Sequence, residues 1–139
     1  MMKKIFLIGF IGLFFGCTSG ISEQDLNKLD GYWEITEVTL PDGQKKEYKL
    51  NTTVDYISTD GKKGFRKKMQ PRLDGTYETS DDAEAFVITK NDEDFSINYK
   101  TELSEWSEKL VDLDDVTFSV VNKEGIRYDY KRFEPISIN

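Results

Sequence analysis

The chain has 139 residues and a formal charge of −7, with 37% hydrophobic, 13% aromatic and 32% charged residues and no histidine. That composition supplies one modest core and a well-solvated surface, so a single domain is expected. The acidic balance excludes a general nucleic-acid binder, which needs a basic footprint, and gives no electrostatic attraction to anionic lipid.

The first segment is a targeting signal and is set aside from the fold. Lys3 and Lys4 form a charged start, Ile5 to Phe15 are uninterruptedly apolar, and Gly16 precedes Cys17, the only cysteine. The apolar run is too short to span a bilayer as a helix and has the length of a signal core. The segment resembles the signal of bacterial lipoproteins, although Phe14 and Phe15 stand where Leu and a small residue are commoner. The resemblance implies a cut after Gly16, a lipidated Cys17 and a place in the bacterial cell envelope, with the outer membrane as the expected site. The other readings are a secretory signal cut elsewhere, or a cysteine discarded with the signal. The charge, the core length and the small residue together favour lipidation. Residues 1–16 are then signal, 17–25 a flexible tether and 26–139 the folded domain.

Next, "SEQDLNKLDG" reads as one helical turn with Ser22 as cap and Asp25 three residues on, ended by Gly31. A period of two follows. "YWEITEV" alternates, "TTVDYIS" puts Val54 and Tyr56 on one face, and "GFRKKMQ" puts Phe65 and Met69 on one face with Lys67 between. "GTYETS" is short and centred on Tyr77, and "AEAFVITK" is apolar on both faces in its middle. "DFSINYK" sets Phe95, Ile97 and Tyr99 together, "VTFSVVN" Val116, Phe118 and Val120, and "IRYDYKRF" Ile126, Tyr128 and Tyr130. Residues 104–113 fit a helix or a strand, since Trp106, Lys109, Leu110 and Leu113 fall at helical spacing; a strand is favoured because its neighbours are strands. "PDG", "TDG", "LDG" and "KEG" are turn signals. Joints this tight leave no room for parallel crossovers. The expected fold is all-β, an antiparallel up-and-down meander closing into a barrel of about eight strands.

"LDGYWEITEV" carries Gly31-Tyr32-Trp33, a G-x-W on the opening strand. With the meander and the late "YDYKRF", the chain resembles the lipocalin family, and within it the small lipocalin-like lipoproteins of bacteria. The resemblance runs from about Leu26 to Phe133. It implies that Trp33 closes one end of the barrel and that an arginine from after the last strand packs across it, Arg132 first and Arg127 second. The T-D-Y motif found late in the family's barrel has no match here, and the domain is shorter than a usual lipocalin.

By alternation, Trp33, Phe65, Tyr77, Phe95, Ile97, Tyr99, Trp106, Phe118, Tyr128 and Tyr130 are expected to face inward. They either line a site for a small apolar or amphipathic molecule or simply fill the core; an eight-strand barrel has room for little more than its own side chains. A mostly filled core is favoured, with a pocket at the mouth left open as an alternative. Tyrosine hydroxyls orient a ligand's polar end in the first reading. Lys67 and Arg132 share faces with apolar residues and could meet a ligand carboxylate, but reach to water and stacking on Trp33 are favoured for them. The basic run from Lys62 to Arg72 holds Lys63, Arg66, Lys67 and Lys68; it is either a docking patch, for an anionic partner such as an envelope protein or for phosphate groups at the membrane surface, or a solvated hairpin beside Asp81, Asp82 and Glu84, and the solvated reading is favoured. The acidic turns lack calcium-loop spacing. No catalytic, metal or cofactor motif is present, so no enzyme is expected. The functional expectation is a membrane-anchored binding protein for a small apolar or amphipathic ligand; the rival is an interaction protein with a filled barrel.

Overall fold

The computed structural model of the chain describes residues 20–79 and 82–134. The expected signal, Cys17 and Asp81 lie outside the described residues. A 3-10 helix, Glu23–Leu29, is followed by ten strands: β1 Gly31–Thr39, β2 Lys45–Glu47, β3 Val54–Asp60, β4 Lys63–Pro71, β5 Tyr77–Thr79, β6 Glu84–Asn91, β7 Asp94–Lys100, β8 Glu105–Leu113, β9 Thr117–Asn122 and β10 Arg127–Arg132. Residues 104–113 are therefore strand. Every pairing is antiparallel, each strand of the wall pairs its neighbour, and β10 returns to pair β1. Eight strands close the barrel; β2 extends the wall beside the far half of β1, and β5 beside the far half of β4. Closure leaves no long unpaired edge in the wall.

The turns follow from local chemistry. Asn91 and Asp94 pair across a two-residue turn whose Asp92 has φ 57°, the left-handed region that Asp tolerates better than most residues. One-residue bulges fall at Thr36 in β1 and Val111 in β8. The bulge at Thr36 frees its carbonyl for the Tyr48 N–H at 2.8 Å, while its hydroxyl donates to the Asp129 carbonyl at 3.1 Å.

The 3-10 helix closes one end. Ser22 donates from its backbone N–H and its hydroxyl to one Asp25 carboxylate oxygen, both at 3.0 Å, which fixes the first turn. Leu26 and Leu29 then point into the barrel beneath Trp33. Above them Ile57, Ile88, Phe95, Ile97, Leu110, Phe118 and Val120 form a continuous core, none more than 2% exposed. At the other end the wall opens between the loops after β1, β7 and β9. Among the described residues, no helix is long and apolar enough to cross a membrane.

Candidate functional site

The closed end is built on Trp33. Its indole N–H donates to the Leu29 carbonyl at 2.8 Å, and its ring meets the edge of Phe118 at 4.7 Å. The Arg132 guanidinium lies over the ring at 3.9 Å and donates to the carbonyls of Lys28, Asp30 and Asp115. Gly31 is needed here: its φ is 126°, and a Cβ would lie 2.5 Å from an Arg132 nitrogen. Arg127 sits elsewhere, on the outer wall, bonded to Asp129 and Asp112.

Of the residues expected inside, Phe95, Tyr99, Phe118 and Tyr130 are buried in the core, and Trp106 and Tyr128 are half-buried against it. Tyr130 stacks on Phe118 at 4.6 Å, and Tyr99 stacks on Trp106 at 4.9 Å near the open end. Phe65, Lys67 and Tyr77 correct the sequence reading, for all three lie outside the barrel. Residues opposite one another across a ladder share a face. Ile57 and Phe86, both inside, stand opposite Arg66 and Gly64 respectively, so the inward residues of β4 are Gly64, Arg66 and Lys68. Gly64 is small because Phe86 fills its place: a Cβ there would be 2.6 Å from the Phe86 ring. Phe65 instead joins an outer aromatic strip. Its ring lies 6.0 Å from Tyr56, Tyr56 lies 4.8 Å from Tyr32, and Tyr32 stacks on Tyr77 at 4.4 Å. The β4–β5 hairpin thus lies against the outer face of β1. Val54 and Tyr56 do share a face, but it is this outer one.

The corrected register of β4 brings charges together inside the barrel. Asp55 stands opposite Trp33 and Lys68, Glu84 opposite Arg66, and Glu108 opposite Ile97. Arg66 is the hub. Its guanidinium lies 4.0 Å from Asp55, 3.7 Å from Glu84 and 3.8 Å from Glu108, and it donates to the Tyr99 hydroxyl at 3.3 Å. Lys68 meets Asp55 at 2.7 Å from the open end. Asp55 is 4% exposed and Glu108 is 8% exposed. Yet Arg66 Nε and Glu108 Oε1 make no hydrogen bond, and Asp55 Oδ1 has only its ion pairs. Buried polar groups without hydrogen bonds are uncommon and costly. Burial pushes the Glu108 carboxyl above its ordinary range, with Arg66 opposing and Asp55 adding to the rise. Burial works against the Arg66 charge too, but the neighbouring carboxylates Asp55 and Glu108 hold the guanidinium protonated. Burial raises the Tyr99 and Tyr130 phenols.

This cluster connects to the surface. Glu84, which reaches Arg66, also lines an open depression of about 850 Å³ formed by residues 82–85 and 100–103. Two exposed leucines, Leu40 and Leu103, lie on the loops after β1 and β7 at the open end. The basic run is also divided by the fold: Lys62 and Lys63 stay on the surface, whereas Arg66 turns inward with its side chain 13% exposed. Asp55, Arg66, Glu84 and Glu108 were not singled out as a site from the sequence. The signal for Glu108 was there, a carboxylate alternating with Trp106 and Leu110; that for Arg66 was masked by the apolar residues beside it. Among the described residues, no group of three or more carboxylates is arranged to hold a metal ion.

No protein-family model matches the chain, and no curated protein matches it. Among solved structures it is similar to a lipocalin-like protein from Bacteroides uniformis, at 13% identity over 76% of this chain and 99% of that one, with a TM-score of 0.48. It is also similar to apocrustacyanin C1, at 15% identity over 82% of this chain and 66% of that one, with a TM-score of 0.48. Lobster apocrustacyanin A1 gives 17% identity over the same shares and a TM-score of 0.46. The strand order, the β10–β1 closure and the Trp33–Arg132 stack of this chain itself make it a lipocalin-like barrel of eight strands with two added short ones.

Proposed function

We propose that the open end of this barrel binds a small amphipathic molecule. Its apolar part lies against Trp106, Tyr128 and the two leucines of the open end, and its polar end reaches toward Arg66 and Glu108. The observation that carries this reading is the buried cluster whose Glu108 Oε1 and Arg66 Nε lack hydrogen-bond partners beside the stacked Tyr99–Trp106 pair. A polar head group completes such a cluster, while the apolar base below supplies a floor already filled by side chains. The site is therefore shallow, at the mouth, in keeping with the short domain.

Native mass spectrometry of the protein from its own host, with tryptophan quenching by a panel of fatty alcohols, aryl amphiphiles and sterol-like probes, tests this. The expected result is an adduct mass or quenching that disappears in Trp106→Phe. A clean apo mass and no quenching by any probe contradict the reading and favour the rival, a filled barrel that docks a protein.

Attachment through a lipidated Cys17 in the bacterial envelope belongs to the same proposal, supported by the charged start, the apolar run and Gly16. The chain enters the barrel at its closed end, beside the 3-10 helix. A short tether there would stand the barrel on its base with the mouth turned away from the anchoring membrane. Labelling of cells with an alkynyl fatty acid, lost in Cys17→Ser, is the expected outcome; unchanged labelling in that variant contradicts it.

A further inference from the structure

We infer that the polar end of the bound molecule is a cation, an ammonium on a small apolar body, and that carboxylate-headed molecules are turned away. The inference rests on the mouth site proposed above and adds the class of its ligand. It follows from the charge inventory of the cluster. Three carboxylates, Asp55, Glu84 and Glu108, share two cations, Arg66 and Lys68. Both cations are already paired with carboxylates of the cluster. Lys68 meets Asp55 at 2.7 Å, and the Arg66 guanidinium has three carboxylates within 4.0 Å, two of them at Nε and one at Nη1. Even its unbonded Nε faces Glu84 and Asp55, so a ligand carboxylate approaching that donor meets like charge at close range.

The cluster is instead short of donors. Glu108 Oε1 is buried, accepts nothing, and has only the Arg66 Nη1 at 3.8 Å nearby. An ammonium brings three donors in a compact volume and cancels the surplus negative charge. Tyr99 already has the Arg66 guanidinium over its ring at 5.4 Å, and its stacked partner, the half-buried Trp106, is an aromatic ring of the kind that attracts cations. A neutral alcohol satisfies the same acceptor with one donor and leaves the charge surplus unanswered.

Three probes of matched body separate these cases: 2-phenylethylammonium, 2-phenylethanol and 3-phenylpropanoate, each titrated calorimetrically into the full chain at neutral pH. The expected order is ammonium first, about tenfold or more tighter than the alcohol, with the propanoate weakest. In Glu108→Gln the ratio of ammonium to alcohol affinity falls toward one, and in Glu84→Gln, at the half-exposed edge of the cluster, it falls less. Propanoate binding as tight as ammonium, with the alcohol also bound, overturns the cation assignment and leaves the mouth site standing. An unchanged ammonium-to-alcohol ratio in a folded Glu108→Gln also overturns it. Absence of binding by all three probes overturns both the assignment and the site.

Discussion

The two halves of the barrel interior obey one alternation and do opposite things with it. In the closed half, every inward position from Leu29 and Trp33 to Phe118 and Val120 is apolar and almost fully buried, and the one polar tip, the Trp33 indole N–H, is bonded to Leu29. In the open half, the same ladders turn Asp55, Arg66, Lys68, Glu84 and Glu108 inward. Burial in the first half follows from hydrophobic transfer, which stabilises each large side chain by about 1.5–3 kcal/mol. Burial in the second half runs against desolvation and is tolerated only because opposite charges neighbour one another. A barrel that served only as a packed body would carry the first arrangement throughout. The difference separates a packed base from a charged mouth, and the mouth is where we propose the site.

The sharpest way to break that comparison is to truncate both tryptophans. Trp33→Ala removes a fully buried ring, its hydrogen bond to Leu29 and the platform for Arg132, and is expected to cost about 3–5 kcal/mol in denaturant unfolding. Trp106→Ala, half-buried at the mouth, is expected to cost less than half as much while abolishing ligand binding. Equal costs for the two would erase the distinction between base and mouth.

Removing the hub comes next. Arg66→Met leaves Asp55 and Glu108 buried beside no guanidinium and is expected to destabilise the protein by about 3 kcal/mol. Adding Glu108→Gln to Arg66→Met should restore a substantial part of that loss, since the stranded charge is then gone. A double variant as unstable as the single one would mean that Arg66 acts by packing alone, in which case the open half is scaffold like the closed half.

The smallest effect is one of pH. The folded-state pKa of Glu108 is raised above its ordinary value of 4.5, chiefly by burial. The folded chain therefore holds that proton more tightly than the unfolded chain does. As pH rises above 4.5, ionisation removes stability until the folded-state pKa is passed, after which the loss is constant. Glu108→Gln cannot ionise, so its stability relative to the parent should grow with pH across that window and show no pH dependence below it. Arg66, Asp55, Glu84, Lys68 and Tyr99 face the group and remain in both proteins, so they largely cancel in the comparison. A variant whose relative stability falls as pH rises would show that Arg66 outweighs burial.

The base was largely legible in the sequence and the mouth was not, for a physical reason. A period of two reports that a strand has two faces; it does not say which face is inside. Where only one face is apolar, as in Phe95, Ile97 and Tyr99, the assignment is unambiguous. In β4 the apolar residues Phe65 and Met69 belong to the outer face, because the β4–β5 hairpin returns to cover that side of the wall and Tyr32, Tyr56 and Tyr77 make a second small apolar layer there. The charged residues of β4 are thereby turned inward, and their partners on β3, β6 and β8 sit far off in the chain. Only the ladder register brings Asp55, Arg66, Glu84 and Glu108 to one place. The closing pair of Trp33 and Arg132 came from the family resemblance rather than from periodicity, and the resemblance carries nothing about the charges at the mouth.

The two tryptophans, one in each half, give the most direct test. In a 15N-labelled protein their indole N–H signals are separate reporters, and adding 2-phenylethanol or 2-phenylethylammonium should shift the Trp106 signal progressively while that of Trp33, held by Leu29 beneath Arg132, stays in place. Shifts of the Trp33 signal equal to or larger than those of Trp106 would put the ligand in the base and contradict the division of the barrel into a packed floor and a binding mouth.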